Sequence, residues 1–142
     1  MLNAETGEIR LYRSNFVLHA GVTPQSIEEQ LAEQIIHRRE TDNHYVHYWL
    51  CADIDSPEYI TANLIFFKNR LLSIYLYPQD HSETVSKTLA PPTELQLAQN
   101  IVRAWYQKYF SEAKMSFQWG TIGFCEGSDP IYYPPAIVIK YS

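Results

Sequence analysis

The stretch HYVHYWLCADID, residues 44–55, holds two histidines, a cysteine and two aspartates, residue types that could ligate a metal, attack a carbonyl or move a proton. Spacing argues against the metal. Residues three apart in a strand point to opposite faces, so His44 and His47 cannot share an ion unless the segment is helical, and its aromatic and β-branched content favours a strand. Cys51 sits in Trp-Leu-Cys-Ala, an apolar setting that keeps a thiol protonated and inert, and Cys125 is read in the same way, as a buried free thiol. Asp53 and Asp55, two residues apart, share one side of a strand and could hold a cation or act as a base; a solvated turn leading into Ser56-Pro57 explains them more simply. His37, followed by Arg38 and Arg39, reads as the end of a helix, where positive groups lie near unpaired carbonyls. The chain has no glycine-rich phosphate loop, no Gly-x-Ser-x-Gly elbow and no His-Glu-x-x-His pattern. No catalytic residue, metal or cofactor is therefore expected. The enzymatic alternative is a sheet pocket lined by Tyr45, Trp49, Tyr75 and Tyr77 that holds a small molecule, or hydrolyses or isomerises one with Asp53, Asp55 or His47.

The elements that must position these residues alternate in type. Glu8 to His19 reads as an edge strand, or as a hairpin bent near Ser14-Asn15. Thr23-Pro24 supplies an N-cap and a first-turn proline, and Ile27, Leu31 and Ile35 then recur every four residues, which predicts a helix running to about Arg39. HYVHYWLCADI is a strand, and Tyr59 to Phe67 and Leu71 to Tyr77 are the next two, with Asn69-Arg70 as their hairpin loop. That loop places Ile65, Phe67, Leu72, Ile74 and Leu76 on one face, and Leu64, Phe66, Tyr75 and Tyr77 with Ala62 and Ser73 on the other. Both faces then carry large apolar groups. After a polar surface loop, Thr93 to Gln96 fits a capping box. Leu95, Ala98, Ile101, Val102, Trp105, Tyr109 and Phe110 draw an apolar helical stripe behind it. Met115 to Cys125 and Ile131 to Tyr141 are two closing strands. The order ββ-α-βββ-α-ββ, with short links between strands, predicts an α+β fold with a mainly antiparallel sheet and both helices on one face.

At 142 residues, 46% hydrophobic and 19% charged, the chain is expected to form one α+β domain over residues 1–142, without linkers. Sixteen acidic against eleven basic residues leave a net charge of −5, which argues against nucleic acid as a partner. The N-terminus lacks a basic start followed by an apolar block, and no stretch is apolar enough to span a bilayer, so a cytoplasmic protein without a membrane partner is expected.

Four fragments, FVLHAGVTP (16–24), FKNRLLSIYL (67–76), WGTI (119–122) and AIVIKY (136–141), recur in this order through most of the chain. The set resembles a group of small bacterial proteins, some of which look like immunity proteins that accompany secreted toxins. This chain departs from that pattern in lacking the usual glycine of the hairpin loop. The resemblance supplies no catalytic residue. It implies stoichiometric binding and neutralisation of one cognate toxin. Surplus apolar surface on the sheet fits that role, with Trp49, Tyr75 and Tyr77 as aromatic anchors and Asp53 and Asp55 as rim charges toward a basic partner. A homodimer burying sheet against sheet would use the same surplus.

Overall fold

A computed structural model describes residues 2–3, 5–10, 16–52, 58–80, 91–110, 114–129 and 133–142. Three short strands, β1 (Leu2–Asn3), β2 (Glu8–Arg10) and β3 (Val17–Leu18), form a small antiparallel sheet, with Ile9 opposite Leu18. The expected bend between Glu8 and His19 is thus a hairpin, whose tip lies outside the described residues. Helix α1 (Pro24–Gln30) starts as its sequence dictates. The Thr23 hydroxyl accepts from the Ser26 amide at 3.3 Å and the Ser26 hydroxyl accepts from the Thr23 amide at 3.1 Å, which pairs two donors that helix geometry leaves orphaned.

The helix then ends early. A 3₁₀ turn (Ala32–Gln34) follows, and Ile35–Glu40 is a strand, β4, where the four-residue spacing predicts more helix. Ile35 and Ile36 are β-branched and stiff in a helix, and the segment pairs instead with β5 (Tyr45–Ala52) as an edge strand, with a bulge at Ile36. Strands β6 (Glu58–Phe67) and β7 (Arg70–Asp80) come next, then helix α2 (Pro91–Phe110). Helix α2 starts at Pro91, two residues before the expected cap, so Thr93 lies inside the helix and is not its N-cap. The closing segment is three strands, β8 (Lys114–Phe117), β9 (Gly120–Cys125) and β10 (Ala136–Tyr141), because Gly120 at φ +155° turns the expected long strand into a hairpin. All described strand pairs are antiparallel, and the large sheet runs β4-β5-β6-β7-β10-β9-β8. The fold is α+β.

The β6–β7 turn decides which side chains face which way. Phe67 pairs with Arg70, so the loop is Lys68-Asn69, at φ +49° and +66°, one residue earlier than the sequence suggests. Two left-handed residues make the tight turn whose twist suits a hairpin. Asn tolerates that conformation; Lys is uncommon there, and the Lys68 ammonium lies 5.3 Å from the Phe67 ring centroid. A bulge then leaves Leu72 without a partner, because Ile65 faces Ser73 while Phe66 faces Leu71. Leu64 and Phe66 consequently leave the face of Tyr75 and Tyr77, and Ile65 and Phe67 join it, reversing the expected grouping.

One sheet face is the core. Tyr48, Leu50, Leu64, Phe66, Ile74, Leu76, Ile137 and Ile139 are fully or almost fully buried and pack in one cluster with Ile27 and Leu31 of α1 and Val102, Trp105, Tyr106 and Phe110 of α2. Both helices therefore cover the same face. Tyr106 was not part of the expected stripe, yet it lies against Phe124 with ring centroids 6.4 Å apart. Ile9 and Leu18 bring the small sheet onto this side, where the Tyr141 hydroxyl donates to the Gly7 carbonyl at 2.8 Å. Gly7 has φ +75°, and a Cβ there would stand 2.5 Å from the Trp119 ring, so both backbone and space require glycine.

Candidate docking face of the sheet

Strand parity puts the partners of the buried residues on the opposite face. Register carries rows straight across it: His37, Trp49, Asn63, Tyr75 and Val138 in one, and Arg39, His47, Ile65, Ser73 and Lys140 in the next. Cys51, Thr61 and Tyr77 form a third. Trp49, Tyr75 and Tyr77, the three aromatic residues singled out from sequence, are thus brought together, each partly buried. The Trp49 and Tyr77 rings stack with centroids 6.2 Å apart and 25° between planes. Burial pushes the Tyr77 phenol up to about 12, with smaller contributions from Tyr75 and Cys125 beside it. Among the described residues no helix or strand overlies these rings.

Asn63 lies between Trp49 and Tyr75 and is only 6% exposed. Its Oδ1 meets no donor among the described residues, although buried acceptors are almost always paired. His47, diagonal to it, is held below its ordinary value, first by burial and then by the charge of Arg39; the Asn63 carboxamide pulls weakly the other way without reaching hydrogen-bond geometry at Oδ1. Sequence reasoning missed Asn63. A polar residue inside the apolar run NLIFF was the available signal, but its side depended on the bulge at Leu72, which the local sequence does not announce.

The charge of this face differs from that of the chain. Arg39, Lys140 and Arg70 lie on it by register, with His37 and His47 between Arg39 and the aromatic rings. Its described side chains include no aspartate or glutamate. Asp53 and Asp55, the expected rim charges, fall outside the described residues. Reading 35–40 as a strand instead of a helix end is what reveals the basic row: Arg38 turns toward the helices and His37 and Arg39 turn away. Arg38 contacts Glu28 of α1 at 3.3 Å, Glu40 at 3.2 Å and the Tyr48 hydroxyl at 3.3 Å, which ties the helix to the sheet edge. That exposed cluster is structural and worth little by itself.

The remaining candidates stay apart. His44 and His47 do not share a face, and no group of three metal-binding side chains occurs among the described residues. Cys51 is partly buried, and Cys125 is exposed instead of buried as expected; both are free, on the outer face with Tyr77. No helix among the described residues is long and apolar enough to cross a membrane. Compared with known proteins, the chain matches no family model, no curated protein and no solved structure.

Proposed function

We propose that the protein is a binding module that takes one partner protein on the outer face of its sheet, without catalysis, in the cytoplasm. The observation that carries this reading is the asymmetry of the sheet. One face is closed by two helices and the small sheet, while the other holds clustered aromatic rings beside a buried acceptor that has no donor among the described residues. Aromatic side chains are favoured anchors because they bury much area at small entropic cost, and buried polar atoms at such a surface give specificity when a partner pairs them. The motif resemblance supports a secreted toxin as that partner and neutralisation as the outcome.

The test is to mix the protein with the product of the neighbouring gene and measure affinity for wild type and for Tyr75→Ala with Tyr77→Ala. Losing these anchors should weaken binding by at least about 2 kcal/mol. Unchanged affinity in the double variant would remove the face from consideration. No binding to any neighbouring product would remove the toxin-neutralising reading.

A further inference from the structure

We propose that the partner meets this face with an acidic polypeptide segment, so that the docking surface is selective for carboxylates although the whole protein carries a net charge of −5. The inference rests on the reading of the outer face as a binding surface. Arg39 opens the row that runs through His47, Ile65 and Ser73 to Lys140 and on to Thr121 and Ser116, and both charged residues are exposed. Neither has a carboxylate partner among the described residues. Arg70 adds a third cation at the hairpin end, held by a 2.6 Å hydrogen bond that it donates to the Ser142 carbonyl. The acids of α1 and β4 lie on the other side, where Glu28 and Glu40 are engaged with Arg38.

Charges separated in this way orient an incoming molecule. The helix side repels an acidic surface and the sheet side attracts it, so encounter is biased toward the aromatic face. Basic residues on either side of Ile65, beside the row that holds Trp49 and Tyr75, suit a segment that places carboxylates over Arg39 and Lys140 and an apolar or aromatic side chain over Ile65 and the Trp49–Tyr77 pair. A polypeptide also brings backbone N–H groups, the donors that the Asn63 Oδ1 lacks among the described residues; Trp49 and Tyr75, its neighbours across the sheet, are only partly buried, so a ring rotation can admit one. A nucleic acid fits less well. Its affinity comes from many phosphate contacts, whereas this face offers three full positive charges, and the Trp49 and Tyr77 ring faces that base stacking needs are turned to one another.

The experiment titrates the isotopically labelled protein at low salt with three probes of similar length: the random copolymers poly(Glu,Tyr) and poly(Lys,Tyr), and oligouridylate. The readout is the assigned Trp49 indole and the Asn63, His47 and Tyr75 amide signals. Poly(Glu,Tyr) is expected to move these signals and to bind on the order of tenfold more weakly to Arg39→Glu with Lys140→Glu. Both side chains are exposed, and the spectrum of the variant itself reports that it is folded. Binding of poly(Glu,Tyr) that ignores the charge reversal, or that moves only signals on the helices, overturns the proposal. If poly(Lys,Tyr) moves the outer-face signals and poly(Glu,Tyr) does not, the face binds polypeptide and only the acidic partner is wrong. If neither copolymer moves them, the docking reading falls as well. Tighter binding of oligouridylate than of poly(Glu,Tyr) would make the sheet a nucleic-acid platform and overturn the proposal.

Discussion

Replacing Asn63 with leucine is expected to stabilise the protein, the reverse of what most changes at a buried position do. Asn63 is 6% exposed and its Oδ1 has no donor among the described residues. An acceptor removed from water and left unpaired costs about 1–3 kcal/mol, while any bond the carboxamide nitrogen makes returns about 0.5–1.5 kcal/mol. Leucine has the same branching at the γ position, carries no polar atom, and faces Trp49 and Tyr75, which are apolar along most of their surface. The extra volume can be taken up toward the open side of the sheet, where both rings are only partly buried. The net gain should be about 1–2 kcal/mol, which for a chain of this size raises Tm by roughly 3–7 °C. Urea unfolding at neutral pH is the assay, with an unchanged m-value required so that the midpoint shift reports stability alone. The same variant should bind the partner of the wild-type protein more weakly, because it can no longer accept an N–H. A midpoint that stays in place or falls would show that Oδ1 is already paired in solution, and the carboxamide would then belong to the architecture of the sheet and not to its binding face.

Trp105→Ala should cost about 3–5 kcal/mol in the same assay, since the indole is 5% exposed and packs against Phe110 at 6.2 Å between centroids; a loss under about 1 kcal/mol would put α2 elsewhere. Tyr141→Phe removes the bond from the phenol to the buried Gly7 carbonyl and should cost about 1–2 kcal/mol, with faster hydrogen exchange confined to the small sheet. Unchanged exchange at Ile9 and Leu18 would show that this bond does not hold the small sheet in place. For His47 the folded value lies below the ordinary imidazole value of 6.5, so the unfolded chain binds the proton more readily. Its contribution is fully present above pH 6.5 and declines as pH falls toward the folded value. Subtracting the pH profile of His47→Gln from that of wild type should leave a difference that falls in this window; a flat difference would place the imidazole in open solvent.

Much of the fold is legible in the sequence because local and long-range preferences agree. Thr23-Pro24 opens a helix in any context, and the α2 stripe needs no partner to be recognised. Aromatic and β-branched runs can only be strands. The failures occur where two preferences compete over a few residues. Ile27, Leu31 and Ile35 have helical spacing, but a two-turn helix is barely stable by itself, and pairing along the open edge of β5 wins over a third turn. At the hairpin, Lys68 in a left-handed conformation goes against local preference, so the turn appears to fall one residue later than it does.

These two errors are small in chain position and large in consequence for the binding surface. Side chains in a strand alternate; shifting a two-residue turn by one keeps the face grouping, and it is the bulge at Leu72 behind that turn that exchanges the partners of Tyr75 and Tyr77 and brings Asn63 onto their face. Reading β4 as helix sends Arg38 and Arg39 to one place, whereas a strand sends them to opposite faces: one to Glu28 and the core side, the other to His47 and the aromatic side. The aromatic anchors survive both errors because Tyr75 and Tyr77 are two apart and must share a face in any register. The charge of the surface does not survive, since it depends on single residues contributed by β4, β7 and β10, strands distant in sequence and joined only by pairing. An acidic composition therefore describes the chain as a whole, while the outer face presents Arg39, Arg70 and Lys140.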